Sequence, residues 1–420
     1  KVKVAVGGSI RYEAVNSPSA NSDANGPTQR YFTLNAFGTT GSRTVYSAFG
    51  EVKLPIVRIL EVNASGRYDS YSSGQSAFSP KVAALFTPFR QLNIRGSWSR
   101  GFRIPAFAEA NALPTTGFVT NNVSLFNNTY LAQYGCTTAT FNTCPAYIRT
   151  GSYGQTTLAS PNLAPEKSRS FNFGFDFTPI KNVTISLDYY NIRKTGVITQ
   201  PSNAPALTAY YTGQPIPAGY NVIADAPDPN FPNARPRVAF VQSQLVNATS
   251  YQTDGLDLTV STKFDIFGFT WRSVFDANYI LKLEQVFADG TRERYDGTLG
   301  NFNLTSGNGT SKLRGSWQNT FEFGKDLSVT GTANYYGGYN LSAQDQGTGY
   351  KDCGLSAFPN YCNVSAYVTF DLNAQVKIAD RFTLGITALN LFDAAPPIDP
   401  VTYGANYYNA VQGSGSGGAG

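Results

Sequence analysis

The chain has 420 residues, a formal net charge of +5 and no histidine or methionine, and only 14% of its residues are charged. That charged fraction is well below the roughly 25% of soluble globular proteins, and the small, scattered positive charge does not indicate nucleic acid as a partner. The lack of histidine excludes His-based triads and His metal ligands, and no apolar run approaches the 18 residues of a transmembrane helix.

Segments with a two-residue period recur along the whole chain and predict strands with one apolar and one polar face. The clearest example places Phe at alternate positions from Phe171 to Phe177. We predict a dozen or slightly more strands, most about 9–13 residues long, which is near the length that crosses a bilayer at a tilt. The apolar positions of these segments fall within 2–12, 60–68, 92–98, 171–177, 183–189, 256–264, 271–281, 313–321, 327–335, 368–376 and 382–388.

The connections between these strands alternate between very short and long. In an antiparallel up-and-down order, all short turns then lie at one end and all long loops at the other, as in outer-membrane barrels. The short turns lie near 55–58, 87–91, 178–182, 265–268, 323–326 and 378–381. The long loops are predicted at about 13–43, 104–168, 200–236, 286–309 and 340–366, and from 394 onward.

The apolar faces carry no charge, whereas charges line the opposite faces. This division favours lipid against the apolar side and a wet or filled lumen on the other. The predicted lumen charges are Arg67, Arg95, Asp176, Asp188, Asp257, Lys263, Arg272, Asp276, Lys312, Arg314, Glu322, Asp371 and Lys377. An aromatic girdle is predicted from Tyr68, Tyr71, Tyr189, Tyr190, Tyr279, Tyr335 and Tyr336. The fold class is therefore all-β, an antiparallel up-and-down transmembrane β-barrel; a soluble all-β protein explains the alternation but not the loop lengths.

The four cysteines form two close pairs in polar stretches, Cys136 with Cys144 and Cys353 with Cys362. Two local disulfides formed in an oxidising compartment are expected. A four-cysteine zinc site is the alternative, but neither pair has its usual spacing.

Several motifs, in order along the chain, resemble those of TonB-dependent outer-membrane receptors. They are SWSRGFRIPAFAEA (97–110), NLAPEKSRSFNFGFDF (162–177), SLDYYNIRKTGVI (186–198), TDGLDL (253–258) and ALNLFD (388–393). The resemblance implies a 22-stranded barrel with an N-terminal plug domain, a TonB-type energy-transducing partner and a final strand ending on an aromatic residue. The chain then corresponds to a partial barrel of about 13 strands over 1–410, with a flexible Gly/Ser tail at 411–420. We expect the intact protein to contain the plug, the first strands and the last strand.

The resemblance also implies a role in uptake: binding a large scarce nutrient, either a ferric siderophore or an oligosaccharide, and transporting it actively across the outer membrane from extracellular loops. Aromatic rings in the long loops suit such ligands, although they equally suit packing of the loops together. These candidate ligand contacts are Tyr130, Tyr134, Phe141, Tyr147, Tyr210, Tyr211, Tyr220 and Phe231.

Charged residues stand at both ends of the loop predicted at about 104–168: Arg100 and Arg103 lie at the outer end of the strand before it, and Glu166 begins the next strand. By resemblance they contact the lumen or the plug; the alternative is an ordinary rim ion pair. Asp225 and Asp228 offer a weak Ca²⁺ site or simply a polar turn.

No nucleophile has a base to activate it, so the chain is not predicted to be an enzyme, and no catalytic residue, metal or cofactor is assigned. The alternative functions are a passive porin, an outer-membrane adhesin or a soluble binding module.

Overall fold

The computed structural model describes residues 1–18, 38–121, 123–287, 290, 292–298, 310–340, 363–379 and 381–397. Strands dominate and are numbered in chain order. They are β1 Lys3–Ser17, β2 Thr39–Val57, β3 Leu60–Tyr71, β4 Ser76–Phe89, β5 Leu92–Arg103, β6 Thr115–Thr120, β7 Ser152–Leu158, β8 Glu166–Ile180, β9 Val183–Thr199, β10 Tyr220–Ala224, β11 Val238–Gln244, β12 Val246–Ile266, β13 Phe269–Val286, β14 Arg292–Arg294, β15 Leu313–Phe323, β16 Leu327–Tyr336, β17 Tyr339–Asn340, β18 Asn363–Val364, β19 Tyr367–Ile378 and β20 Phe382–Ala388.

The described connections contain four short α-helices: α1 Phe107–Asn111, α2 Asn128–Ala132, α3 Ala146–Arg149 and α4 Ala204–Thr212. Two single 3₁₀ turns accompany them, at Val123–Leu125 and Phe141–Thr143. Within the described ranges, no helix is both long enough and apolar enough to cross a membrane.

One large antiparallel sheet forms the body of the protein. Its order is β1-β2-β3-β4-β5-β8-β9-β12-β13-β15-β16-β19-β20, with β14 added to β13. Each strand pairs with its predecessor along the chain once the inserted loops are passed over, as in an up-and-down barrel. In the part of the chain that the structure describes, this path contains 13 strands (the 14 of the sheet less β14), in agreement with the predicted number of about 13. Within the described residues the sheet does not close on itself, because β1 and β20 stand at its two ends.

Cross-strand register keeps the two faces separate over the whole sheet. Phe173 of β8 lies opposite Gly96 and Tyr189, and Asn172 lies opposite Ser97 and Tyr190. On the apolar face the Phe173 side chain is 51% exposed. The predicted alternation is therefore confirmed, and among the described residues no protein layer covers Phe173 and its exposed neighbours on the apolar face.

The register corrects the predicted aromatic girdle. Tyr190 lies opposite Asn172, and Tyr336 lies opposite Arg314, so both belong to the polar face. Tyr71 follows Asp69 on that same face. A period-two pattern assigns adjacent residues to opposite faces, so consecutive tyrosines such as Tyr335 and Tyr336 do not share one girdle.

The six predicted short turns all lie at one end of the sheet, between β2 and β3, β4 and β5, β8 and β9, β12 and β13, β15 and β16, and β19 and β20. The turn after β12 contains only Phe267 and Gly268, with φ of 43° and 95°. Two left-handed residues give the tight hairpin whose twist matches the strands, and Gly268 adopts its φ without steric cost.

The other end differs from the prediction in two ways. The connection between β3 and β4 spans only 72–75, so one short connection lies among the long ones. Some loop bounds also differ from the prediction: β1 continues to Ser17 and β8 begins at Glu166, which shortens two predicted loops, whereas β12 begins at Val246, which lengthens the loop predicted at 200–236. Most of the predicted loops at 13–43, 286–309 and 340–366, and the tail at 411–420, lie outside the described residues.

Candidate functional site

Two long connections fold together at the long-loop end, one between β5 and β8 and the other between β9 and β12. Their strands form a second sheet in the order β10-β11-β7-β6. The parallel pairing of β11 with β7 joins the two connections, with Phe240 opposite Gly154. We call this unit, residues 104–165 and 200–245, the loop domain.

The loop domain has its own apolar core, although it lies outside the main sheet. Tyr130 and Leu131 of α2 and Ile148 of α3 are fully buried. The Tyr130 ring lies 4.6 Å from the Tyr211 ring of α4 and stacks on Phe126 at 5.6 Å. Because α2 and α4 come from different connections, this aromatic core binds the two together. Aromatic pairs at such distances contribute about 0.5–1.5 kcal/mol each beyond the area that they bury.

The α2 helix has a clear local cause. The Asn127 side chain accepts a hydrogen bond from the Tyr130 backbone N–H (2.8 Å) and donates one to the Tyr211 carbonyl (3.1 Å). Asn caps the free N–H groups of a first helical turn well. The same side chain therefore starts the helix and fixes it against α4.

The predicted ligand-contact aromatics all lie within the loop domain. Tyr130, Tyr134 and Tyr211 are buried in its core, so their rings pack the loops and do not face solvent in this arrangement. The other five are half-buried around that core: Phe141, Tyr147, Tyr210, Tyr220 and Phe231. Ligand contact stays a prediction for these five.

Tyrosine hydroxyls connect distant parts of the loop domain. Tyr134 donates to the Arg235 carbonyl (2.7 Å), Tyr147 to the Ala226 carbonyl (2.7 Å), and Tyr210 to the Pro236 carbonyl (2.9 Å). Burial raises the pKa of the Tyr134 phenol to about 12, and it raises the pKa of Tyr211 as well. Both phenols are therefore uncharged at neutral pH, where Tyr134 donates its hydrogen bond and the Tyr211 hydroxyl accepts one from the Val238 backbone N–H at 3.1 Å.

Two arginines lie over tyrosine rings at the loop-domain surface. Arg237 is 4.5 Å from the Tyr147 ring centre, and its Nε donates to Asp225 at 2.8 Å. Arg235 lies 5.5 Å from the Tyr210 ring centre. Asp228 accepts from the Asn230 backbone N–H (2.9 Å), so Asp225 and Asp228 act as an ion-pair partner and a turn acceptor. No group of three or more potential metal ligands occurs in the described ranges.

The expected Cys136–Cys144 disulfide is present, with 5.3 Å between the Cα atoms. Both half-cystines are buried in the loop-domain core beside Tyr130 and Ile148. The second expected pair, Cys353 and Cys362, lies outside the described residues.

Arg103 and Glu166 occupy directly opposite positions where β5 ends and β8 begins, at the base of the loop domain. Arg103 donates from Nε to Glu166 at 2.8 Å and from both terminal nitrogens to Glu109 of α1 at 2.8 Å. Glu166 also accepts from the Ile198 backbone N–H of β9 (2.9 Å) and is only 7% exposed. This network fastens the loop domain to the main sheet, which sequence spacing alone does not show.

Arg100 does not join this network, which corrects its grouping with Arg103 and Glu166. It lies on the apolar face, opposite Arg169, with its guanidinium 5.3 Å from the Trp98 ring centre. An odd separation of three residues assigns Arg100 and Arg103 to different faces. The predicted lumen or plug contact therefore applies only to Arg103 and Glu166.

The polar face of the main sheet carries a compact ionic cluster. Arg95 of β5 donates to both Asp176 of β8 and Asp188 of β9, with its Nε 3.0 Å from Asp188. Ser186 donates to Asp176 at 2.5 Å. Gly174 lies directly opposite Asp188, and a Cβ there would meet the Asp188 carboxylate.

The model of the TonB dependent receptor-like beta-barrel matches residues 3–391. The chain belongs to the TonB-dependent receptor family. Members of this family are outer-membrane receptors, not enzymes, and this membership places the chain in the outer membrane. No curated protein sequence matches the chain.

Solved structures share this receptor fold at low sequence identity. The siderophore receptor PirA from Acinetobacter baumannii matches with a TM-score of 0.58 and 13% identity over 93% of this chain and 48% of its own. A ferric enterobactin receptor mutant (PfeA) from Pseudomonas aeruginosa, in complex with enterobactin, matches with a TM-score of 0.59 and 13% identity over 95% of this chain and 48% of its own. The outer membrane transporter YddB from Escherichia coli matches with a TM-score of 0.50 and 14% identity over 87% of this chain and 44% of its own. This chain thus spans about half the length of the structures it matches.

Proposed function

We propose that this chain forms the ligand-binding end and much of the barrel wall of a receptor that actively imports a large nutrient. The loop domain carries this proposal. Two connections fold into one packed, disulfide-closed unit at the end of the sheet where the long loops lie. A preorganised unit on a rigid scaffold lowers the entropy cost of binding.

In the proposed arrangement the apolar face of the main sheet meets outer-membrane lipid. The long loops and the loop domain are extracellular, and the short turns lie in the periplasm. Exposed side chains such as Phe173, Trp317 and Ile386 support lipid on this face, because burying each in hydrocarbon is favourable by about 1.5–3 kcal/mol.

The ligand class that we propose is a ferric siderophore. Among the structures that resemble this one, PirA is named as a siderophore receptor and PfeA as a ferric enterobactin receptor. Half-buried rings beside Arg235 and Arg237 offer aromatic area and positive charge together, which fits an anionic ligand that carries aromatic rings, such as a catecholate complex of iron. An oligosaccharide is the second candidate, because the same rings stack on sugars.

We further propose that a plug domain fills the lumen and that a TonB-type protein supplies the energy for transport. The charged polar face supports this, since a buried lumen face of this kind needs polar partners. Arg103 and Glu166 stand at the rim of this face. The plug would come from the part of the receptor that this chain does not include.

The test is whole-cell uptake by the full-length receptor, expressed in a strain without other siderophore receptors. Cells with and without a TonB-type protein would be supplied with ⁵⁵Fe-enterobactin or with radiolabelled maltohexaose. Uptake of iron that depends on the energy-transducing protein supports the proposal. Sugar uptake with that dependence would instead favour the oligosaccharide.

A passive porin or an adhesin would give a different result. A porin would show steady ion conductance in planar bilayers and uptake that does not depend on the energy-transducing protein. An adhesin would give neither uptake nor conductance. Either outcome would contradict active import.

A further inference from the structure

Three arginines lie side by side on the apolar face at the long-loop end of the main sheet. Arg100 of β5 is directly opposite Arg169 of β8, which is directly opposite Arg193 of β9. Residues opposite one another on one face have Cβ atoms about 4.5–5.5 Å apart. Lys167 lies one further position along the same face of β8.

These four cations are exposed, and no carboxylate pairs with them within the part of the chain that the structure describes. The nearest acid on this face is Asp254 of β12, which instead accepts hydrogen bonds from Asn191 and Gln252. Like charges directly opposite each other destabilise a sheet. The row therefore costs free energy unless an anion from outside the chain lies against it.

The row has a defined depth relative to the apolar band. Next to it, toward the short-turn end, lies an aromatic pair on the same face, Trp98 opposite Phe171. From Arg169 to Ile180 at the short-turn end, β8 advances 11 residues. At about 3.3 Å per residue and a tilt of about 40°, this is about 28 Å, close to the apolar band of about 25 Å in outer-membrane barrels. The arginines thus lie at the edge of this band, beside aromatic residues typical of a membrane interface.

We propose that the row Arg100, Arg169 and Arg193, together with Lys167, binds the phosphate groups of lipid headgroups in the leaflet around the long-loop end. This inference rests on the proposed arrangement, in which the apolar face meets lipid and that end faces outside. Each guanidinium presents a planar fork of donors that fits phosphate oxygens bidentately. Three neighbouring forks match a headgroup with more than one phosphate, and the Trp98 and Phe171 rings would contact the first acyl carbons.

The experiment uses the full-length receptor in detergent and compares three proteins: the wild type, a row variant (Arg100→Gln, Arg169→Gln and Arg193→Gln) and a matched control (Lys3→Gln, Lys263→Gln and Lys377→Gln). The control removes the same charge from the polar face. Each protein is titrated with an acylated diglucosamine lipid bearing two phosphates, with the same lipid without phosphates, and with sodium phosphate.

We expect the row variant to bind the phosphorylated lipid about tenfold or more weakly than the wild type and the control. The dephosphorylated lipid should bind all three equally weakly. Equal binding by all three proteins, or equal binding of both lipids, would overturn the inference. So would sodium phosphate binding as tightly as the lipid, since the row would then be a site for free phosphate.

Reconstitution into phospholipid nanodiscs separates this inference from the proposed function. If the apolar face does not meet lipid, none of the three proteins will enter the bilayer. If all three enter with unchanged heat-modifiable gel mobility and bind the lipid alike, only the phosphate site is wrong. A further variant, Arg169→Lys, retains the charge without the fork and should lose part of the affinity.

Discussion

Arg103 of β5 lies directly opposite Glu166 of β8 and donates a hydrogen bond to it. Glu166 is nearly buried, and Arg103 also donates to Glu109 of α1. We expect Glu166→Gln to weaken this fastening by about 1–2 kcal/mol, because a charge-assisted pair with one half-exposed partner is lost. Limited proteolysis of the full-length receptor should then cut the loop domain faster. The exposed pair Lys53–Glu61 provides the control: Glu61→Gln should have little effect. Equal cleavage in both variants would show that Arg103 and Glu166 form only a rim ion pair.

The Cys136–Cys144 disulfide closes a short loop within the loop-domain core, with a sequence separation of 8. Replacing both cysteines by serine should destabilise the loop domain by about 2–3 kcal/mol through loop-closure entropy. We expect faster proteolysis of the loop domain and weaker ligand binding, with an unchanged temperature for the heat-modifiable shift of the barrel. A lower transition temperature for the whole barrel would mean that the loop domain and main sheet unfold together.

Gly174 lies where Arg95 bridges Asp176 and Asp188. A Cβ at this position would lie 2.6 Å from the Leu187 carbonyl oxygen and would also meet the Asp188 carboxylate. We expect Gly174→Ala to lower the barrel transition temperature, with a cost of about 1–3 kcal/mol from overpacking. Gly331 of β16 has nothing within 4 Å of its ideal Cβ, so Gly331→Ala is the matched control and should be nearly neutral. Identical transition temperatures would argue against the close packing of this cluster.

Alkaline pH should open the loop domain before the barrel. Burial raises the pKa of Tyr134 to about 12, whereas an unfolded tyrosine ionises near pH 10. This contribution to stability is fully present below about pH 10 and is lost as the pH rises toward about 12. Proteolytic resistance of the loop domain should therefore be constant up to about pH 9 and fall above pH 10.

The Tyr134→Phe variant checks the cause of this pH dependence. Between about pH 10 and 12, the proteolytic resistance of this variant should fall less steeply with pH, because its unfolding releases one proton fewer. Its resistance at neutral pH should be slightly lower, because the hydrogen bond to the Arg235 carbonyl is lost. If the slope of resistance against pH is the same in the variant and the wild type, titratable groups other than Tyr134 cause the alkaline opening.

The strands of the main sheet could be predicted because their signal is local. Phe171 to Phe177 alternate with polar residues, and neither face needs knowledge of a distant partner. The pairing of Arg103 with Glu166 could also be anticipated, since an up-and-down order places the end of β5 beside the start of β8. Local sequence patterns are therefore sufficient to predict this part of the fold.

The loop domain could not be predicted in this way. Its parallel pairing joins Phe240 with Gly154, far apart in sequence, and its helices have only a few residues each. Aromatic side chains in a loop fit both a ligand and a core, so sequence alone could not place Tyr130 at zero exposure. One local pattern does indicate a helix: Asn127, a favourable N-cap residue, precedes Tyr130 and Leu131 of α2.

The arginine row was missed for a related reason. The parity of Arg169 relative to Phe171 assigns it to the apolar face, but its proximity to Arg100 and Arg193 requires the register of three strands. The residues lie beyond the ends of the apolar runs, where the sequence gives no boundary between strand and loop.

Spin-label accessibility along β8 tests most directly whether hydrocarbon covers the apolar face. Single cysteines replacing residues 171–173 and 175–177 in turn would be labelled with nitroxide in the full-length receptor in a lipid bilayer. We expect labels at 171, 173, 175 and 177 to be accessible to oxygen and shielded from a water-soluble nickel complex, and labels at 172 and 176 to be less accessible to oxygen. Accessibility of the odd-numbered positions to the nickel complex, or loss of the two-residue period, would contradict a barrel wall in lipid.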